Sequence, residues 1–130
     1  MRKITRNMLK IYKPLSELDW MNYRIVKESE LTYHHIVKKC DGGKSIISNG
    51  AILLPIAHQY LHLIESVDIN RYDRLNKIFK DINSSCKEPT RDMRILIEYL
   101  LSEFEYRNID KVMNNGKRLI KCEFRDRDFY

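Results

Sequence analysis

The sequence predicts an α+β fold in which a two-stranded hairpin and a helix are braced by further helices toward the C-terminus. β-branched and aromatic residues concentrate over Leu31–Val37, as they do in strands. Gly and Asn turn signals separate this segment from a second short apolar run at Ala51–Leu54. After Asp68, apolar residues recur at helical spacing. Because 130 residues is the size of one compact domain, we expect residues 1–130 to fold as a single domain.

The first 30 residues are predicted to form a basic arm followed by a short helix. Residues 1–13 hold five basic side chains and no acidic one, and such a run is either a solvated arm or a contact to nucleic acid. Ser16 and Asp19 have the spacing of a capping box, in which two side chains satisfy the free N–H groups at a helix start. This spacing predicts a short helix near Glu17–Tyr23.

Residues 31–66 are predicted to form a strand, a loop, a second strand and a helix. The sequence Asp41-Gly42-Gly43 ends the first strand, and the loop runs to Asn49-Gly50. Pro55 suits the first position of a helix because the N–H group that proline lacks would be unpaired there in any case. We expect this helix to continue to about Ser66.

Residues 69–110 are predicted to form two bracing helices. Each carries an apolar stripe at helical spacing, which nearly always indicates core packing. Asn83-Ser84-Ser85 stops the first pattern, and the second helix begins near Pro89-Thr90. Charge dominates residues 114–130, for which a loosely ordered tail and a final strand are equally open. The first stripe comprises Ile69, Tyr72, Leu75, Ile78, Phe79 and Ile82, and the second comprises Met93, Leu96, Ile97, Leu100, Leu101 and Phe104.

The composition predicts a cytoplasmic protein with an anionic partner. The net charge of +6 favours nucleic acid as that partner, and 43% hydrophobic with 32% charged residues excludes a disordered tail and a membrane protein. Residues 45–64 lack Asp, Glu, Lys and Arg over the length of a membrane span, but their polar residues and proline make insertion costly. Three cysteines without a C-x-x-C pair favour a reducing compartment, and the basic start is not a signal peptide.

All four histidines lie between residues 34 and 62 and indicate a functional site. His58 and His62 are four residues apart on the predicted helix, so they share one face and can hold one metal ion. His34 and His35 are adjacent on a strand, where side chains alternate between faces. Both can serve one site only if the backbone becomes irregular near Ile36–Lys39. The alternative is that these histidines are structural or lie on the surface.

The order and spacing of these residues resemble the HNH nuclease motif, whose members have the ββα-metal (HNH or His-Me finger) fold. The resemblance covers residues 31–65, about a quarter of the chain. The steps from His35 to Asn49, to His58 and to His62 are most similar to those of the colicin-type DNases. The size of the chain resembles free-standing HNH proteins encoded by phages or prophages. The resemblance is carried by Leu31-Thr32-Tyr33-His34-His35-Ile36-Val37, Gly42-Gly43, Asn49-Gly50-Ala51-Ile52-Leu53-Leu54, His58 and His62.

The resemblance implies a role for each residue of the motif. His35 is implied to be the general base, Asn49 to brace the loop, and His34, His58 and His62 to lie at one divalent metal ion. Many family members have Asp in place of His34, and three imidazoles tolerate Zn, Ni or Mn whereas a carboxylate-rich site favours Mg. Independently of the family, Asn49-Gly50 is equally compatible with a purely structural turn.

The chemistry of phosphodiester cleavage suits these residue types. Imidazole has a pKa suited to deprotonating water near neutral pH, and a divalent ion neutralises the charge that develops on the phosphate and the leaving oxygen. Lys38, Lys39 and Lys44 either are solvated or hold the DNA backbone without reading sequence. Residues 88–110 carry six acidic and three basic side chains, and we expect the acidic helix there to face away from DNA.

The motif therefore predicts a metal-dependent HNH endonuclease that hydrolyses DNA, and its resemblance to the family implies that cleavage leaves 5′-phosphate and 3′-hydroxyl ends. We expect one divalent metal ion (Zn, Ni, Mn or Mg), no small-molecule organic cofactor and no membrane partner. The alternative is a catalytically inactive, zinc-stabilised module of phage origin that binds DNA or protein. The motif leaves little room for a separate DNA-reading domain, so weak sequence specificity is expected.

Overall fold

A computed structural model describes residues 1–12, 17–85 and 89–114, and within these the fold is mixed α+β, as predicted. Strands β1 (Thr32–His35) and β2 (Gly50–Leu53) pair antiparallel, with Thr32 opposite Leu53 and His35 opposite Gly50. The α-helices in the described part are α1 (Lys3–Leu9), α2 (Pro55–Val67), α3 (Ile69–Ser85), α4 (Arg91–Arg107) and α5 (Ile109–Asn114). The predicted alternatives for the tail fall almost entirely on residues 115–130, which lie outside the described residues.

Strand β1 is shorter than the predicted strand because the loop that follows it captures its backbone. The N–H of Ile36 donates to the carbonyl of Asn49, and the N–H of Val37 donates to the Asn49 side chain. The chain therefore leaves the ladder after His35. The loop then makes two short 3-10 turns, Lys39–Asp41 and Ile47–Asn49. Gly43 is required in this loop, since a Cβ there would lie 1.8 Å from the Val37 carbonyl oxygen.

Helix α2 begins at Pro55, as predicted, directly after β2. Helix α4 also begins where the sequence indicates, since the Thr90 hydroxyl accepts a hydrogen bond from the Met93 N–H. Helix α3 continues to Ser85, past the predicted stop. Its Asn83 side chain donates to the carbonyls of Ile47 and Gly50, so this residue joins the helix to the hairpin instead of ending the helix.

The core is formed where α3 packs against α2, α4 and strand β2. Most of both predicted apolar stripes is buried in it, whereas Ile69 and Leu96 are 52% and 40% exposed and lie outside it. The charge-free stretch 45–64 spans part of the loop, all of β2 and most of α2, and its apolar residues are largely core. The largest fully buried side chains include Trp20, Tyr60, Phe79, Phe104, Met8 and Met21.

The predicted helix near Glu17–Tyr23 is wrong. Residues 17–24 form a loop closed by an isolated bridge between Leu18 and Arg24. Asp19 does not cap a helix. Its carboxylate is fully buried and accepts hydrogen bonds from the N–H groups of Met21, Tyr23 and Leu54. The other member of the expected capping box, Ser16, lies outside the described residues.

The N-terminal segment contains α1, which packs on the hairpin, so it is not simply a solvated arm. Met8 is fully buried, and the guanidinium of Arg2 lies over the Tyr33 ring at 5.5 Å from its centroid. A Cβ at Gly50 would lie 2.6 Å from the sulfur of Met8 and 2.3 Å from the Tyr33 ring. Glycine at this position therefore allows α1 and β1 to approach β2 closely.

Candidate metal and catalytic site

Three of the four histidine rings form a contiguous cluster between the hairpin and α2. The His34 ring, from β1, lies 5.2 Å from the His58 ring, and the His58 ring lies 4.8 Å from the His62 ring, measured between centroids. Two imidazoles on one tetrahedral ion, each with a metal–nitrogen distance of about 2.1 Å, have their centroids about 5 Å apart. The fold thus brings together the three side chains that the sequence predicted to share a metal ion.

The hydrogen bonds of Thr32 define the tautomer of His58. The Thr32 hydroxyl donates its single proton to the Leu53 carbonyl at 2.7 Å, so it acts as an acceptor toward His58 Nδ1 at 3.1 Å. His58 therefore carries its proton on Nδ1, and the lone pair is on Nε2. This is the arrangement in which an imidazole can bind a metal.

His34 is held in the same manner by a residue of α3. Its Nε2 lies 2.8 Å from the Asn76 Oδ1, which can only accept, so the ring is protonated on Nε2 and has its lone pair on Nδ1. The Asn76 side chain is also close enough to the Tyr72 phenol to lower the pKa of that group against the larger, opposite effect of burial. His34 is 3% exposed, with the rings of Tyr72 and Phe79 packed edge-on against it.

His62 is the exposed member of the cluster. Its Nδ1 lies 3.4 Å from a carboxylate oxygen of Glu65, one turn further along α2. The other oxygen of Glu65 forms an ion pair with Lys38. Burial raises the pKa of Glu65, but its contacts with Lys38 and His62 outweigh that effect and hold the pKa below its ordinary value. The carboxylate is thus ionised and can accept a hydrogen bond from the Nδ1–H group of His62.

The electrostatics favour neutral imidazoles at His34 and His58. Burial lowers the pKa of His34 to about 4, although its hydrogen bond to Asn76 opposes the shift. Burial, followed by the proximity of His62 and His35, lowers the pKa of His58 as well. Neutral rings are the form that binds metal. Within the described residues, however, no group of three or more His, Cys, Asp and Glu side chains already converges on one point, so the donor set requires side-chain adjustment.

His35 lies on the opposite face of β1 from His34, beside Tyr33. Its ring packs edge-on against the Tyr33 ring at 4.8 Å, and its Nε2 lies 2.8 Å from the Ser45 hydroxyl. Burial, with further contributions from Arg2 and Lys39, lowers the pKa of His35. The ring is close enough to His34 and His58 to lower their pKa values too. The structure thus places His35 next to the cluster, but not within it.

Asn49 closes the loop that follows His35. Its side chain accepts from the Val37 N–H at 2.8 Å and donates to the carbonyls of Val37 and Lys44, both at 3.0 Å. The backbone bends at residues 36 and 37, within the segment where the sequence required irregular backbone if adjacent histidines were to serve one site. The bend follows His35, however, and leaves His34 and His35 on opposite faces of β1. Asn49 itself therefore acts on the backbone of the loop, and its side chain is not directed at the imidazoles.

The three candidate DNA-binding lysines differ in their surroundings. Lys38 is engaged with Glu65 and lies 5.8 Å from the centroid of the Tyr72 ring. Lys39 and Lys44 are exposed on the loop. The sequence-based interpretation grouped the three because it had no signal for the Lys38–Glu65 contact, which joins residues 27 positions apart.

Other site residues were not found from the sequence at all. Asn76, Glu65 and Thr32 hold the histidines, and Ser45 contacts His35. The spacing of Glu65 from His62, three residues on one helix, was the only available signal. Asn76 lies 42 residues from His34, and no local pattern connects them.

Comparisons of the chain with protein-family models, with curated proteins and with solved structures found no match in any of the three. Among the described residues, none of the helices combines the length and apolar character needed to cross a membrane. The functional interpretation therefore depends on the geometry of the site and on the resemblance of its motif.

Proposed function

We propose that the protein is a metal-dependent HNH endonuclease with a ββα-metal core formed by β1, β2 and α2. The observation that carries the proposal is the tautomeric order of the histidine cluster. His34 and His58 each have one ring nitrogen hydrogen-bonded to an acceptor and the other available as a ligand, and the Nδ1 of the exposed His62 lies 3.4 Å from Glu65. Metal-binding histidines in proteins are held in this way.

The chemistry of the donor set suits one divalent ion, which the three side chains would hold after adjusting so that they converge on it. His34, His58 and His62 would hold it, and three imidazoles favour Zn, Ni or Mn over Mg. When bound, the ion would supply Lewis-acid stabilisation of the negative charge on the phosphate and the leaving oxygen. Burial lowers the pKa of His34 and of His58, which favours the neutral form of these two rings, so protons compete less for their nitrogen lone pairs.

His35 is the general base in this proposal. Burial and the nearby Arg2 and Lys39 lower its pKa, so the ring is neutral near pH 7 and can take a proton from the attacking water. The Ser45 hydroxyl and the Tyr33 ring restrict the orientation of the imidazole. Asn49 fixes the backbone that immediately follows it.

DNA is proposed as the substrate. The cations near His35 support an anionic ligand, since Arg2 and Lys39 are close enough to affect its pKa, and Lys44 precedes Ser45 on the same loop. Such contacts bind the phosphate backbone and provide affinity without sequence information.

The test is nicking of supercoiled plasmid with Mg, Mn, Ni or Zn supplied in turn. We expect His35→Ala to reduce the cleavage rate about 10²- to 10⁴-fold, the usual contribution of a general base. Ser48→Ala, an exposed change on the same loop, is the matched control and should cleave at the wild-type rate. The same background rate for wild type and His35→Ala with every metal would reject catalysis by this site.

A second candidate function is a zinc-stabilised binding module without catalysis. It is favoured by the depth of His34, because an ion held by His34, His58 and His62 would tie β1 to α2 close to the core. The melting temperature with and without chelator discriminates the two. A large loss of stability on chelation, in a protein that never cleaves, supports the binding module, and an unchanged melting temperature contradicts it.

A further inference from the structure

The side chains behind the histidines form a continuous chain of contacts from His34 to His62. His34 donates to Asn76, whose side chain is also close enough to the Tyr72 phenol to lower the pKa of that group against the effect of burial. The Lys38 ammonium lies over the Tyr72 ring and pairs with Glu65, and Glu65 accepts from His62. Four residues outside the proposed donor set therefore link two of its three imidazoles. They come from α3, α2 and the segment just after β1.

We propose that Asn76 and Glu65 are positioning residues for a divalent metal ion, linked through Tyr72 and Lys38, and that they hold His34 and His62 in their ligating orientations. This inference rests on the metal-binding part of the proposed function. It assigns Lys38 to the support of the metal site, because its ammonium pairs with Glu65.

Burial explains why these acceptors control the orientation of the rings. Asn76 is 8% exposed, and the Nε2–H of the buried His34 has Asn76 as its partner among the described residues. Rotating the His34 ring away would leave a buried donor unpaired, which is unfavourable. At His62 the exposed ring has more freedom, and the fixed carboxylate of Glu65 restricts it. The Asn76–His34 contact is thus the more rigid of the two. We expect Asn76 to contribute more to metal affinity than Glu65 does.

The experiment is calorimetric titration of the metal-free full chain with Zn²⁺ alone and, separately, with Ni²⁺ alone. For Asn76→Leu we expect 10- to 100-fold weaker binding, the usual cost of losing such a partner. Asn76→Asp keeps the acceptor and should bind within about threefold of wild type. Asn70→Leu, an exposed change on the same helix, is the matched control and should not alter binding.

Glu65 provides an independent variant at a less buried position. Glu65→Ala should weaken binding about tenfold, whereas Glu65→Gln, which can still accept from His62, should weaken it less. Glu28→Ala is the exposed control. The visible spectrum of bound Co²⁺ gives a readout that a change in stability does not move, and we expect it to differ from wild type in Asn76→Leu and Glu65→Ala.

The outcomes separate the two proposals. Wild type that binds one ion, together with Asn76→Leu and Glu65→Ala of equal affinity and spectrum, overturns this inference and leaves the metal site standing. Wild type that binds no ion overturns the metal site and this inference together. If Asn76→Leu does not fold, the Glu65 variants decide.

Discussion

Two polar clusters in this protein, a buried one around Asp19 and a partly exposed one around His34, have opposite hydrogen-bonding character. Around Asp19, the carboxylate accepts three backbone N–H groups, and Arg94 donates to the carbonyl of Asp19 and to the Asn22 side chain, which in turn donates to the Arg94 carbonyl. Around His34, each clustered imidazole keeps one nitrogen for which the described residues provide no donor. A cluster whose groups pair with one another, such as the one around Asp19 (the closed cluster), stabilises the fold. A cluster that keeps unpaired nitrogen lone pairs, such as the one around His34 (the open cluster), is suited to an external ligand.

The largest expected effect tests the closed cluster. Asp19→Ala leaves the N–H groups of Met21, Tyr23 and Leu54 without their carboxylate acceptor inside the core. We expect a loss of about 3 to 5 kcal/mol in the free energy of unfolding, because each buried group left unpaired costs roughly 1 to 3 kcal/mol. Urea unfolding measures the change.

The control for this prediction is Asp73→Ala, an exposed carboxylate on α3 that should change stability by less than about 0.5 kcal/mol. An equal loss for the Asp73 and Asp19 variants would show that the buried carboxylate does not hold the 17–24 loop onto α2. The cluster around Asp19 would then not stabilise the fold in the way that we contrast with the cluster around His34.

The same cluster shows where prediction from sequence failed. Ser16 and Asp19 match the local capping pattern, but the Leu54 N–H that Asp19 also satisfies is 35 residues away. Local spacing contains no information about such a partner. By contrast, Pro55 at the start of α2 and the Thr90 cap of α4 depend on neighbouring residues only, and both were predicted.

The candidate site shows the same contrast between features that depend on neighbouring residues and contacts between residues far apart in sequence. The pair His58 and His62 follows from helical periodicity, and His34 joins them because strand alternation sends it toward α2 while His35 lies on the other face. Asn76, Ser45 and the Lys38–Glu65 pair were missed because they depend on how α3 and the loop pack on the motif. The proposed donors thus lie within one local motif of the sequence, whereas the residues that hold them do not.

A second prediction uses one buried group from each cluster, His34 and Asp19, whose pKa values are shifted in opposite directions in the metal-free protein. Burial lowers the pKa of His34 to about 4, so its contribution to stability is lost as the pH falls from about 6.5 to 4. Burial also raises the pKa of Asp19 to about 6, although three backbone N–H groups and Arg94 oppose it, so this group adds stability as the pH falls from about 6 to 4. Each shift corresponds to about 3 kcal/mol, and the two nearly cancel.

We therefore expect the free energy of unfolding, measured with chelator present, to depend weakly on these two groups between pH 6.5 and 4. Single variants separate them. His34→Phe should become more stable on acidification relative to wild type, and Asp19→Asn less stable, each by about 3 kcal/mol at pH 4 relative to its value at pH 7. Parallel pH profiles for wild type and both variants would contradict the assignment of two opposed buried groups.

The smallest expected effect distinguishes two lysines at the edge of the open cluster. Lys44 is exposed on the loop, whereas Lys38 is paired with Glu65. Lys44→Gln should weaken binding to a DNA duplex about threefold and lower the slope of log affinity against log salt by about 1, since one phosphate contact is lost. Lys38→Gln should leave that slope unchanged and weaken Zn²⁺ binding instead, because it removes the counter-ion of Glu65.

Fluorescence anisotropy over a salt series measures the effect of Lys44→Gln on DNA binding, and calorimetry measures the effect of Lys38→Gln on Zn²⁺ binding. Equal salt slopes in both variants would mean that Lys38 contacts DNA phosphate as Lys44 does. Lys38 would then belong to the DNA-binding surface and not to the support of the histidine cluster.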